Sequence, residues 1–142
     1  MPSNVWDEVP DWGGVGALRL DRAERGLGAA VWEFPPGAAQ AVYHFHHGSD
    51  ELLVVLRGTP TVRGHDGERL LREGEVVSFP RGPEGGHQIR NDGEDTARVL
   101  IVSTNADPDV AEYPDSDKVG IWVHEHGRFF RAPDAVEHAG PE

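Results

Sequence analysis

The stretch that decides the fold is GAAQAVYHFHHGSDELLVVLRG, Gly37 to Gly58. QAVYHFH (40–46) mixes β-branched and aromatic residues, and ELLVVLR (51–57) is a dense aliphatic run, so both halves read as strands. His47-Gly48-Ser49-Asp50 between them reads as a turn. His44 and His46 stand two apart, which on a strand sends both imidazoles to one face. Two buried imidazoles are costly unless something satisfies them, and a metal ion does so directly. Glu51 has the wrong parity for that face on an unbroken strand, but the intervening turn resets it. Two imidazoles and a carboxylate without a thiolate suit Fe(II), Mn, Ni, Co, Cu or Zn, and leave positions for water or a substrate.

Each ligand has a competitor. His47 could stand in for His46, although its parity is wrong for the same strand face. Asp50 competes with Glu51, and the histidine pair itself could be an ordinary polar strand surface. His124-Glu125-His126 is a second His-x-His without an evident third partner, which reads as solvated or at an interface.

Outward from this stretch, the runs 29–34, 59–64, 68–72, 75–79, 87–91 and 97–104 are also short, rich in Val, Leu and aromatics, and bounded by turn residues. Asp66-Gly67 is a hairpin signal, because glycine tolerates the positive φ of a primed turn. About eight strands at this spacing, with no convincing helix, predict an all-β sandwich or barrel. Residues 1–27 and 105–142 read as irregular extensions of one domain, with Trp6 and Trp12 as anchors and one more strand at Val119 to His124. Leu52 to Leu56 is apolar at every position, which predicts cover on both faces and makes a homodimer a reasonable expectation.

The second informative segment is Gly74 to Asn91, a strand, a Gly/Pro-rich turn, and a strand opening with His87. With the first it resembles the paired motifs of the cupin superfamily, and in particular its small single-domain bacterial members. The first motif reads Gly37-x6-His44-x-His46-x4-Glu51-x6-Gly58, and the second Gly74-x5-Pro80-x-Gly82-x4-His87-x3-Asn91. The resemblance covers residues 28 to 104 or so. It implies a double-stranded β-helix, or jelly-roll, barrel and one divalent metal ion held by His44, His46, Glu51 and His87. One extra residue precedes His44 and two precede His87, the latter in Pro83-Glu84-Gly85-Gly86 at the presumed pocket rim.

Charge narrows the partners. With 13 Lys and Arg against 25 Asp and Glu the net charge is −12, which repels phosphate backbones and anionic lipid, so neither nucleic acid nor a membrane surface is expected. The acidic, proline-broken N-terminus does not read as a secretion signal, and with no cysteine the default expectation is a cytoplasmic protein. The expected partner is a small-molecule ligand or substrate. The resemblance accommodates a metalloenzyme, dioxygenase-like or isomerase-like, and also a non-catalytic binding or sensing module. Were it a sugar-phosphate isomerase, Arg57, Arg81 and Arg90 would be the candidates for holding phosphate.

Overall fold

Short runs of β-branched and aromatic residues, cut at close intervals by glycine and proline, pair into three antiparallel sheets in a computed structural model that describes residues 2–10, 14–22, 26–40 and 42–140. Five strands form the first sheet: β1 (Gly16–Arg22), β2 (Gly28–Phe34), β4 (Glu51–Arg57), β7 (Val76–Phe79) and β9 (Ala97–Ser103), in the order β1-β2-β9-β4-β7. The second runs β12-β11-β10-β3, from His126–Arg131, Lys118–Val123, Asp109–Tyr113 and Phe45–His46. β6 (Gly67–Leu70), β5 (Thr61–Gly64) and β8 (His87–Arg90) form the third, joined to the chain ahead of β3 by bridges at Ala39–Arg90 and His44–His87. The result is the jelly-roll barrel that the paired motifs imply. Among the described residues no helix is long and apolar enough to cross a membrane.

One end of the barrel is filled by Phe34, Leu53, Val55, Phe79, Ile89 and Val99, all buried. Phe79 of this core stacks on the His87 ring. Asn91 staples this end of the barrel shut, because its side-chain amide donates to the carbonyls of Phe34 (2.7 Å) and Asp95 (2.8 Å) while its oxygen accepts from Gly93 (2.9 Å).

The structure departs from the sequence reading in several places. Neither extension is wholly irregular: β1 extends the first sheet, and β10 to β12 build most of the second. β10 falls where turn residues dominate the sequence, and its pairing with β3 and β11 stabilises a strand that local propensity does not announce. The β5–β6 turn is centred on His65 and Asp66, with Gly67 (φ 121°) opening β6. His124 and Glu125 form the tight β11–β12 turn at φ 48° and 70°, so His124 and His126 do not share a strand face. Trp6 is half-exposed, flanked by the guanidinium groups of Arg57 and Arg98, and Trp12 lies outside the described residues. Burial along β4 alternates, with Leu53 and Val55 enclosed and Leu52 39% exposed, so within this chain its outward face is not fully covered.

Asn91 gives a direct test of the barrel closure. Asn91→Ala leaves the buried Phe34 carbonyl without this donor and removes two part-buried bonds, and should cost roughly 1–3 kcal/mol. Urea denaturation reads the loss as a lowered midpoint with an unchanged slope.

Candidate metal centre

The site lies where the first sheet faces the segment running into β3. Residues 47 to 50 turn the chain back, and Glu51 emerges on the enclosed face of β4 with Leu53 and Val55. Asp50 points the other way and pairs with Arg81 at 2.8 Å, which removes it as a competitor. His47 likewise turns outward to Glu112, at 2.6 Å. His44, His46 and Glu51 come together: each offers one ligand atom, and these atoms lie within 4.8 Å of one another.

His87 stands beside this group of three. Its ring centroid is 4.7 Å from that of His44, and its Nε2 is 3.8 Å from Oε1 of Glu51. The insertion before it does not swing it away, because Pro83–Gly85 close a single 3-10 turn. Gly85 and Gly86 permit that closure: a Cβ at Gly85 would sit 1.7 Å from the Pro80 carbonyl oxygen, and one at Gly86 2.3 Å from the Tyr43 hydroxyl. His87 ends 1% exposed, stacked on Phe79 at 3.8 Å.

The hydrogen bonds of the three imidazoles share one pattern. Nδ1 of His44 faces the Val42 carbonyl (3.3 Å), Nδ1 of His87 the Gly85 carbonyl (2.8 Å), and Nδ1 of His46 the Asp109 carboxylate (2.8 Å). Such oxygens only accept, so each Nδ1 carries the proton and each Nε2 is left as the donor nitrogen for a cation. Nε2 of His46 lies 3.1 Å from Oε1 of Glu51 without hydrogen-bond geometry. Oε1 of Glu51 and Nε2 of His87 are therefore buried with no hydrogen-bond partner, the arrangement a bound cation would satisfy. The residues present fit a divalent metal, and the mixed nitrogen and oxygen donors do not select one ion.

Charge at the site follows from the same contacts. Burial, reinforced by His87 and His46, pulls His44 down to about 4, so it is neutral at pH 7. His87 is also lowered by burial. Burial opposes charge on His46, but Glu51 and Asp109 outweigh it and hold its pKa above the ordinary value. Glu51 is lowered because close contact with His46 and the neighbouring imidazoles overcome its own desolvation.

Asp109, which the sequence reading leaves in an irregular extension, is the residue of the site most thoroughly missed. Besides His46 it accepts from the backbone of Gly48 (3.0 Å) and the Ser49 hydroxyl (3.1 Å), tying β10 to the ligand-bearing turn. DVAEY (109–113) shows no period-two alternation of polar and apolar residues, so the sequence carries no local signal for this strand.

Above the centre opens a cleft of about 610 Å³, walled by Trp32, Tyr113 and Trp122. Trp32 and Trp122 thus face the ligand space rather than serving as packing anchors alone. Trp122 lies flat against Gly127 on the next strand, where a Cβ would come within 2.9 Å of the indole. Arg57, Arg81 and Arg90 do not line the cleft; Arg81 and Arg90 are engaged by Asp50, and by Glu68 and Asp92.

Comparison with known proteins agrees with this geometry. The family model for the cupin domain matches residues 30–103. A sugar phosphate isomerase of the cupin superfamily from Silicibacter pomeroyi DSS-3 is 26% identical, superposes with a TM-score of 0.76, and matches over 89% of this chain and 82% of its own. A candidate sugar phosphate isomerase from Acidithiobacillus ferrooxidans is 25% identical, with a TM-score of 0.74 over 86% of this chain and 81% of its own. KdgF from Halomonas sp., 20% identical with a TM-score of 0.62 over 75% of this chain and 94% of its own, shares the fold. No curated protein matches the chain significantly. With more than half of its length covered by the family model, and with the barrel and the gathered histidines to match, this chain belongs to the cupin family.

Proposed function

We propose that the protein is a metal-dependent isomerase of small polyhydroxylated substrates, with His44, His46, Glu51 and His87 holding one divalent metal ion. The observation that carries the metal is the pair of buried atoms without partners, Oε1 of Glu51 and Nε2 of His87, beside two further imidazoles of matching tautomer. The reaction class is supported by the two similar structures described as sugar phosphate isomerases, each matched over most of both chains. An aldose–ketose interconversion moves hydrogen between adjacent carbons and conserves atoms, so it needs no co-substrate. The metal, when bound, would polarise a carbonyl or hydroxyl oxygen of the substrate. The aromatic walls offer flat surfaces to the C–H faces of a sugar, and the buried base of the site restricts water around it.

Three measurements test this reading. The apo-protein is titrated with Mn(II), Co(II), Ni(II) and Zn(II), and with Fe(II) under anaerobic conditions, by calorimetry. Replacing His44, His46, Glu51 or His87 with Ala should weaken binding at least about tenfold each. His46 has a raised pKa, so it holds its proton below that value and binding must displace it. His44, lowered to about 4, has none to lose at neutral pH. Affinity should therefore fall as pH falls through the His46 range, with metal binding releasing the His46 proton where that residue is charged. Undiminished occupancy at about pH 4.5 would overturn histidine ligation.

Asp109→Asn removes the charge that sustains the His46 tautomer and should weaken metal binding by roughly 10–100-fold, with the fold retained by circular dichroism.

For the reaction, metal-loaded protein is incubated with ribose 5-phosphate in D2O and followed by NMR. The expected result is ketose formation with deuterium entering at the carbon beside the carbonyl. Oxygen consumption without isomer formation would replace this reading with an oxygenase.

A further inference from the structure

Among the described residues that line the cleft, Arg19 is the only lysine or arginine. Its place follows from strand register. Arg19 pairs with Ala30, Ala30 with Ile101, and Ile101 with Leu53, so one row of side chains runs across β1, β2, β9 and β4 on the same face of the sheet. Glu51 lies two residues before Leu53 and shares that face. Arg19 and Glu51 therefore stand on one floor, on strands three spacings (about 14 Å) apart across the sheet and offset by two residues along it.

Arg19 already holds an anion. Its guanidinium contacts the carboxylate of Glu125, which projects from the tight β11–β12 turn and also lines the cleft. The adjacent residue of that turn, His124, is tied to Asp107 through its ring at 2.8 Å and its backbone N–H at 3.1 Å. The turn thus reaches over the mouth and sets a carboxylate on the cleft's cation. Both members of the Arg19–Glu125 pair are mostly exposed, and exposed ion pairs contribute little to stability, so a ligand oxyanion can displace Glu125 at low cost. Guanidinium suits such an exchange because its planar fork takes carboxylate or phosphate through two parallel hydrogen bonds.

We infer that Arg19 is the specificity-determining residue of the cleft, reading a terminal oxyanion on an extended polyol, with Glu125 as the resident counter-ion that the ligand displaces. The polyol end of that ligand rests on the isomerase reading; the Arg19 contact does not require turnover.

The experiment uses the metal-loaded full chain and the fluorescence of Trp32 and Trp122, which line the cleft. Ribose 5-phosphate, ribonate and ribose are titrated into the wild type, Arg19→Ala, Arg19→Lys and Glu125→Gln. The wild type should bind at least one of the charged ligands about tenfold or more tighter than ribose. A preference for ribose 5-phosphate identifies a phosphoryl group as the natural anion, and one for ribonate a carboxylate. Arg19→Ala should abolish the preference for charge while leaving ribose binding unchanged, and Arg19→Lys should keep part of it. Glu125→Gln should tighten charged ligands several-fold, because the competitor is gone. The inference is overturned if Arg19→Ala keeps the charged-to-neutral ratio, if Glu125→Gln weakens charged ligands, or if ribose binds the wild type as tightly as both charged ligands. Should this pattern appear without isomer formation in the NMR assay, the isomerase reading fails and the role of Arg19 stands.

Discussion

A carboxylate oxygen and an imidazole nitrogen buried without partners are the constraint around which this chain is arranged. Left alone, Oε1 of Glu51 and Nε2 of His87 would each cost on the order of 1–3 kcal/mol in lost hydration. The neighbouring imidazoles offset part of the cost at Glu51, but neither atom gains a hydrogen bond, and the packing holds both in place. Phe79 lies flat on the His87 ring, and Gly85 and Gly86 let the preceding turn close so tightly that the ring cannot withdraw. A protein that sustains such a cost has a use for it, and cation binding is the use that fits both atoms.

The orientation of the three imidazoles is built from ordinary backbone. Two of the three Nδ1 atoms rest on carbonyls two residues earlier in the chain, Val42 for His44 and Gly85 for His87, so these tautomers are set by local chain geometry. Only His46 takes a side chain from far along the sequence. That difference divides the site electrostatically. His44 and His87, with carbonyl acceptors, are lowered by burial, whereas His46, held between two carboxylates, is raised.

The sequence showed the barrel, the His44–His46 pair and the turn that returns Glu51 to the interior, because these depend on strand parity and on Gly48 and Ser49, which are local. The second motif marked His87, although its two-residue insertion left its position open until the 3-10 turn was seen. Asp109, Arg19 and the cleft tryptophans were not legible. Each acquires its role through pairing between distant strands, β10 with β3 and β1 with β2, and register of that kind leaves no trace in spacing. The apolar run of β4 keeps its outer face open within this chain, and composition along a strand cannot say whether another surface lies against it.

The reach of Asp109 bears on how such a domain can change over generations. One carboxylate accepts from the ring of His46, from the Gly48 backbone and from the Ser49 hydroxyl, and so links the appended β10–β12 sheet to the ligand turn of the barrel. The C-terminal strands are thus not an ornament that could be trimmed or exchanged freely between relatives. A chain cut after β9 would lose the acceptor of His46 together with the anchors of Gly48 and Ser49, so the barrel and its C-terminal sheet are one working unit.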